Sequence, residues 1–227
     1  MYYICMIRIE AYDLVLFDFD GLLVDTEPLH YKAYLALCAG DGVELGWDFK
    51  TFCQIAHESS SGLKNAIYPL LAKTGVSWEE KYLEKQNKLS AFLKSSDILL
   101  MPGAEDLLLC IKKAGITACV VTNSKRSDID IIRAKISALQ TISHWITRED
   151  YQHGKPHPES YLTAIERYGQ NAHHIIGFED SFRGYSALSQ TRAEAVLVCP
   201  SSHPQMRKID TSEVHHYESL QDFNRAL

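Results

Sequence analysis

The chain has 227 residues, with 23 Lys plus Arg against 29 Asp plus Glu, a formal net charge of −6. That acidic balance argues against nucleic acid and against an anionic membrane surface as main partners. A hydrophobic fraction of 46% with 23% charged residues excludes a disordered chain and fits one able to bury a large core.

Taken in chain order, the first seventeen residues are apolar only in patches. Arg8, Glu10 and Asp13 interrupt them well short of the ~20 residues a spanning helix needs. The stretch also lacks a basic start and a small-residue cleavage site, so no signal peptide is expected. Asp13-Leu14-Val15-Leu16-Phe17-Asp18 is a continuous apolar run closed by a carboxylate, which predicts a strand buried on both faces. From about Thr26 to Asp97 the pattern is helical and free of strand signals. Helices are predicted over His30–Ala39, Lys64–Thr74 and Trp78–Phe92, punctuated by glycines. Beyond it, helices over Pro102–Ala114, Ser124–Leu139 and Pro158–Tyr168 alternate with apolar runs at Ile116–Thr122, His174–Phe178 and Ala193–Cys199. Gly115 and Gly169 stand where the first and last of those helices should end. Strands alternating with helices of this length imply right-handed crossovers and a parallel sheet.

The segment Ser201–Leu227 is polar and carries no clear element, and His215-His216 within it reads as a solvated pair rather than a metal site. The six cysteines are scattered without a C-x-x-C pair, so they are expected as reduced thiols of a cytoplasmic protein.

Open α/β sheets bind ligands at the carboxyl ends of their strands. Asp18-Phe19-Asp20-Gly21, Thr122-Asn123-Ser124 and Glu179-Asp180-Ser181 each follow a predicted strand, and Gly154-Lys155-Pro156-His157-Pro158 precedes a predicted helix. Each alone could be a cap or a turn, but together they bring four polar clusters to one edge. Asp18, Glu179 and Asp180, with a backbone oxygen, form a hard-oxygen set suited to Mg²⁺. Thr122, the Asn123 N–H and Lys155 supply donors for a phosphate. A cation and a lysine facing one phosphoryl group leave Asp18 free to attack phosphorus. Asp20, two residues on, is placed to protonate the leaving oxygen and then to deprotonate water.

The segments FDFDGLLVDTEPLH, MPGAEDLLLCIKKAGITACVVTNSKR, GKPHPESY and FEDSFRG resemble, in order and spacing, the haloacid dehalogenase superfamily of aspartate-nucleophile phosphatases over about Tyr12 to Pro200. In that resemblance the first motif falls on Asp18 and Asp20, the second on Thr122, the third on Lys155 and the fourth on Glu179 and Asp180. A helical insert after the first motif, and Glu-Asp-Ser in the fourth, point to the subgroup of β-phosphoglucomutase and the small sugar phosphatases. The implied fold is α/β, a Rossmann-like doubly wound parallel sheet with an inserted all-helical cap domain. The core would span 1–25 and 98–227 and the cap 26–97. The implied activity is Mg²⁺-dependent hydrolysis of a small phosphorylated sugar or related metabolite through an aspartyl phosphate, by a monomer with no nucleic-acid or membrane partner. Asp18, Asp20, Glu179 and Asp180 are the implied metal set.

A phosphosugar mutase is the alternative, and it needs a cap group to clamp a second phosphate. Arginine suits that task, yet none occurs between Arg8 and Arg126. The loop His57–Lys64 offers only His57 and Lys64, and Glu27 and His30 open the cap as further candidates for substrate contact. A non-catalytic binding protein should lack a key carboxylate, and none is missing. Thr26 and Met101-Pro102 are the expected hinges, and Arg192 is an unusual residue for its place but lies away from the chemistry.

Overall fold

The computed structural model describes residues 8–58, 61–71, 75–209, 212 and 214–227. Leu14-Val15-Leu16-Phe17 carries no polar side chain, so both of its faces can be covered. It forms β1 (Leu14–Phe17), fully buried, at the centre of a sheet. The chain builds one flank through β2 (Thr117–Val121) and β3 (His144–Ile146). It then passes β1 to add β4 (Ile175–Glu179), β5 (Glu194–Val198) and β6 (His215–Tyr217). The order is β3-β2-β1-β4-β5-β6 and every pairing is parallel. The direction of growth reverses at β1, which opens a crevice beyond the carboxyl ends of β1, β2 and β4.

Alternation along the strands sorts the core into two layers. Val15 and Phe17 join Val120, Ile176 and Phe178 on one face, and the Phe17 and Phe178 rings stack at 5.4 Å. Helices α5 (Ala104–Ala114), α6 (Arg126–Lys135) and α9 (Leu220–Ala226) cover that face with Leu107, Ile111, Ile129, Ile132 and Phe223. Leu14, Leu16, Cys119 and Val121 face the other way, under Tyr161 and Ala164 of α7 (Glu159–Tyr168) and Leu188 of α8 (Phe182–Leu188). The α/β, doubly wound parallel architecture expected from the sequence is the one observed. The tail is a correction. Ser201–Leu227 is not featureless, since β6 extends the sheet and Leu220 and Phe223 are buried in the main core. A three-residue edge strand containing two histidines gives no apolar run, which hid it. His215 pairs with Glu194 at 3.4 Å, and His216 Nε2 lies 2.6 Å from the Cys199 carbonyl oxygen.

Among the described residues, four α-helices and no strand intervene between β1 and α5: α1 (Glu27–Gly40), α2 (Phe49–Glu58), α3 (Gly62–Leu71) and α4 (Trp78–Ser95). Tyr34, Leu37, Phe52, Ile67 and Leu71 form their own apolar cluster. Leu29, Ala33, Leu89 and Leu93, at the other ends of α1 and α4, pack into the main core instead. A capping box starts α4, with Glu80 N donating to Ser77 Oγ at 3.2 Å and Ser77 N donating to Glu80 Oε2 at 3.1 Å. Helix α2 was not expected from the sequence, although the Asp48 carboxylate accepting from Thr51 N at 2.8 Å is a start signal. His57 and Glu58 therefore end a helix rather than begin a loop; Ser59 and Ser60 lie outside the described residues, and α3 begins at Gly62. The two connections run side by side. Asp25 N donates to Leu99 O and Met101 N to Leu23 O, each at 2.9 Å, around an antiparallel bridge between Val24 and Leu100. Among the described residues no helix is long and apolar enough to cross a membrane.

Candidate active site

The crevice collects the four polar clusters. Asp18 follows the last residue of β1, its N–H donating to Phe178 O at 3.0 Å, so its side chain leaves the sheet at the crevice. Lys155 arrives from the segment before α7 and is almost wholly buried. Its ammonium donates to Asp18 Oδ1 at 2.5 Å, to Glu179 Oε1 at 2.7 Å and to the Val121 carbonyl at 2.8 Å. Glu179, the last residue of β4, also accepts from the Tyr161 hydroxyl at 2.6 Å. One donor atom from each of Asp18, Glu179 and Asp180 falls within 4.8 Å of the others. The largest influences on the Asp180 carboxylate are burial and the charges of Asp18, Glu179, Glu27 and Lys155, with no hydrogen-bond donor among them.

Glycines let these groups approach. Gly21 has φ +85, and a Cβ there would stand 2.4 Å from Asp180 Oδ2, so the Asp-x-Asp-Gly turn admits no side chain at this position.

The paired aspartates have opposite environments. Asp20 turns from the carboxylate group toward Thr26 Oγ1 at 2.5 Å, Ser124 Oγ at 2.6 Å and Thr122 Oγ1 at 3.3 Å, with His30 Nε2 3.8 Å away. Burial works to raise its pKa, but His30, Ser124 and Thr26 together hold it well below the usual carboxylate range. For Asp18, burial dominates over the attraction of Lys155, and with Glu179 nearby its carboxyl rises to about 7. Asp180 is pushed well above the usual range by burial, then by Asp18 and Glu179. Lys155 stays charged: burial would lower its pKa, but Asp18 and Glu179 more than offset that. Such a set, carboxylates crowded at a strand end with one fixed lysine, can take up a cation or a phosphoryl group and offer a carboxylate oxygen to it.

A sequence model of a hydrolase family, described as haloacid dehalogenase-like hydrolase, matches residues 12–190. The chain belongs to the haloacid dehalogenase-like hydrolases. Among characterised relatives, it is 25% identical over 190 residues to (DL)-glycerol-3-phosphatase 1, mitochondrial, of Arabidopsis thaliana, covering 81% of this chain and 63% of that one. It is 27% identical over 187 residues to the phosphorylated carbohydrates phosphatase of Thermotoga maritima, covering 81% and 83% of the two chains. The crystal structure of a HAD hydrolase, family IA, variant 3, from Entamoeba histolytica superposes with a TM-score of 0.75, 25% identity and 94% of each chain covered.

In this hydrolase the structure brings Asp18, Lys155, Glu179 and Asp180 together at the crevice, and Thr122 follows the end of β2 with its hydroxyl donating to Asp20. Asn123 sits behind, its Oδ1 2.7 Å from the Tyr151 hydroxyl. Glu27 is brought in from the start of α1, where it pairs with buried His57 and accepts from Cys53 Sγ at 3.5 Å. Lys64 is not brought in, because its ammonium faces Glu79 at 3.5 Å on an exposed surface. Sequence reasoning missed Tyr161 and Lys85. Lys85 is buried on α4, with Nζ 3.1 Å from His30 Nδ1 and 5.0 Å from the centre of the Tyr34 ring. Its signal was present, because Lys81, Lys85, Leu89 and Leu93 recur every four residues and share the buried stripe of α4. Arg192 donates to Ala172 O at 2.8 Å and Gly169 O at 2.7 Å, so it ties down the turn after α7, away from the crevice.

Proposed function

We propose that the chain is a Mg²⁺-dependent phosphatase of small phosphorylated sugars or related metabolites, with Asp18 as nucleophile. The carrying observation is the Asp18 carboxylate at a strand end, fixed by buried Lys155 and beside the Asp180 carboxylate. Three crowded carboxylates fit a hard divalent cation, and oxygen donors select Mg²⁺ over softer metals. Asp18 and Asp180 would hold the ion, with the Asp20 main-chain oxygen as a further donor. Glu179, already engaged by Lys155 and Tyr161, would act mainly by anchoring Lys155. When bound, the ion supplies positive charge that keeps Asp18 and Asp180 ionised and offsets charge on the phosphoryl oxygens.

The chain's own residues then divide the work. Thr122, the Asn123 N–H and Lys155 orient the phosphoryl group. Asp18 Oδ forms the bond to phosphorus as the bond to the leaving oxygen breaks, and that oxygen takes a proton from Asp20. Water next attacks phosphorus, gives its proton to Asp20, and frees Asp18 with release of phosphate. Asp20 must be protonated when substrate is bound. A dianionic phosphoryl group arriving beside it opposes the low resting pKa and drives it upward.

Residues 26–97 form the cap in this reading, hinged at Thr26 and Met101-Pro102, with the core in 1–25 and 98–227. Glu27, His30, His57 and Lys85 line the cap side and exclude water. The described cysteines are all free thiols, four of them buried, which suits a reducing compartment. The mutase alternative gains no support, since the buried cap lysines are engaged, Lys85 by His30 and Lys81 by Asp41, and Lys64 faces exposed Glu79. Hydrolysis of p-nitrophenyl phosphate with and without Mg²⁺ tests the reaction, and a panel of sugar, polyol and glycolytic monophosphates tests the substrate class. No turnover of any phosphoester in Mg²⁺ would refute the reading.

A further inference from the structure

We propose that His153, His157 and Glu159 form a surface site for a borderline divalent ion such as Zn²⁺, distinct from the Asp18–Asp180 centre. The three lie on His153-Gly-Lys-Pro-His-Pro-Glu159, so they flank Lys155 in sequence. One donor atom from each lies within 4.8 Å of the others. Glu159 Oε2 is 2.7 Å from His153 Nδ1 and 3.9 Å from His157 Nδ1. Two ligands on one tetrahedral zinc stand about 3.4 Å apart, given bonds of about 2.1 Å, and the observed separations bracket that value.

The Glu159 carboxylate is in place before any ion arrives. Glu159 Oε1 accepts from Gln152 N at 2.9 Å and Oε2 from His153 N at 2.8 Å, which fixes the carboxylate. His157 Nδ1 accepts from Glu159 N at 3.2 Å, so this nitrogen carries no proton, and it would ligate an ion by giving up that hydrogen bond. The rings lie 4.9 Å apart, and their side chains are 64% and 54% exposed, so an ion can reach them and water can complete its shell. On binding, His153 gives up the Nδ1 hydrogen bond to Glu159 and carries its proton on Nε2, leaving the Nδ1 lone pair for the metal.

Two imidazoles and one carboxylate select Zn²⁺, Ni²⁺ or Cu²⁺, whereas the all-oxygen set of Asp18, Glu179 and Asp180 selects Mg²⁺. An ion clasped across residues 153–159 would also fix the turn that delivers Lys155. The inference does not depend on the hydrolytic reading, since it concerns residues outside that chemistry.

The test is calorimetric titration of the full, tag-free chain with ZnCl₂ in millimolar MgCl₂, so that the oxygen site is filled. Wild type should take up one equivalent of Zn²⁺. His153→Ala and His157→Ala, both at exposed positions, should each weaken that step at least tenfold, because losing a ligand should cost no less than losing a ligand's supporting partner. Asp180→Asn should leave it unchanged. No one-equivalent step in wild type, wild-type affinity in either histidine variant, or loss of the step in Asp180→Asn would each overturn the proposal.

Discussion

The ammonium of Lys85 lies 3.1 Å from Nδ1 of His30, and both are held where α4 leans on α1. Burial lowers the Lys85 pKa from 10.5 to about 8, although Asp128 and Asp20 act to raise it. A lysine depressed on folding costs stability while the folded group must stay charged, and that cost fades as pH climbs from about 8 to 10.5. Lys85→Met should therefore stabilise the protein at pH 7 by up to about 3 kcal/mol, with the gain vanishing by pH 10.5. Turnover should fall roughly tenfold, the worth of one charged hydrogen bond near Asp20. Urea melts at the two pH values, with kcat at pH 7, check both. An unchanged gap between variant and wild type at high pH would show that Lys85 acts by packing alone.

Asp18→Asn should abolish phosphoester hydrolysis with the fold intact by circular dichroism, because an amide cannot attack phosphorus. The loss should exceed a hundredfold, at least ~2.7 kcal/mol of barrier. Residual activity above about 1% would count against Asp18 as nucleophile.

Magnesium should stabilise the protein more at pH 8 than at pH 5. With its folded pKa near 7, cation-free Asp18 favours the native state while protonated, below about 4, and that contribution is lost as pH rises to 7. At pH 5 an ion must displace the Asp18 proton, and at pH 8 it need not. Thermal melts in EDTA and in saturating MgCl₂ at both pH values measure the difference. An equal shift in Tm at both would place the ion elsewhere.

Asp180→Asn should weaken Mg²⁺ binding at least tenfold with little change in Tm. Glu179→Gln should lower Tm instead, because it removes charge from buried Lys155 and disturbs Tyr161. Magnesium calorimetry and melting curves on both variants separate the roles, and a reversed pattern would make Glu179 the principal ligand.

His57→Ala and Lys64→Ala should part company. His57 is buried against Glu27, whereas Lys64 faces exposed Glu79. His57→Ala should raise KM for the preferred substrate several-fold and barely alter p-nitrophenyl phosphate hydrolysis. Lys64→Ala should change neither. Equal losses on both substrates for His57→Ala would make that residue part of the chemical step.

The central strands were legible because unbroken apolar runs have few other uses, and the motif residues because each stands at a strand end or helix start. Gly115 likewise marks its helix end in the sequence, and its φ is +69. What stayed hidden was short or mixed. β3 and β6 have three residues each, and α9 has seven. Lys85 looked like a surface lysine because charge outweighs spacing when a sequence is read one residue at a time. The divergence of Asp18 from Asp20 was invisible, since it depends on Lys155, Ser124 and His30 arriving from distant points of the chain.

The doubled connection at Val24 and Leu100 has a mechanical meaning. Two separate tethers would let the four helices slide, twist or rock. Two tethers stitched together by hydrogen bonds bend readily about a single axis and resist shear, because shear would break both bonds at once. In the proposed cap, the helical unit would thus keep one easy degree of freedom. If the four helices act as the proposed cap, each swing would return His57 and Lys85 to the same place over the crevice, so selectivity that depends on them would be reproduced from one turnover to the next.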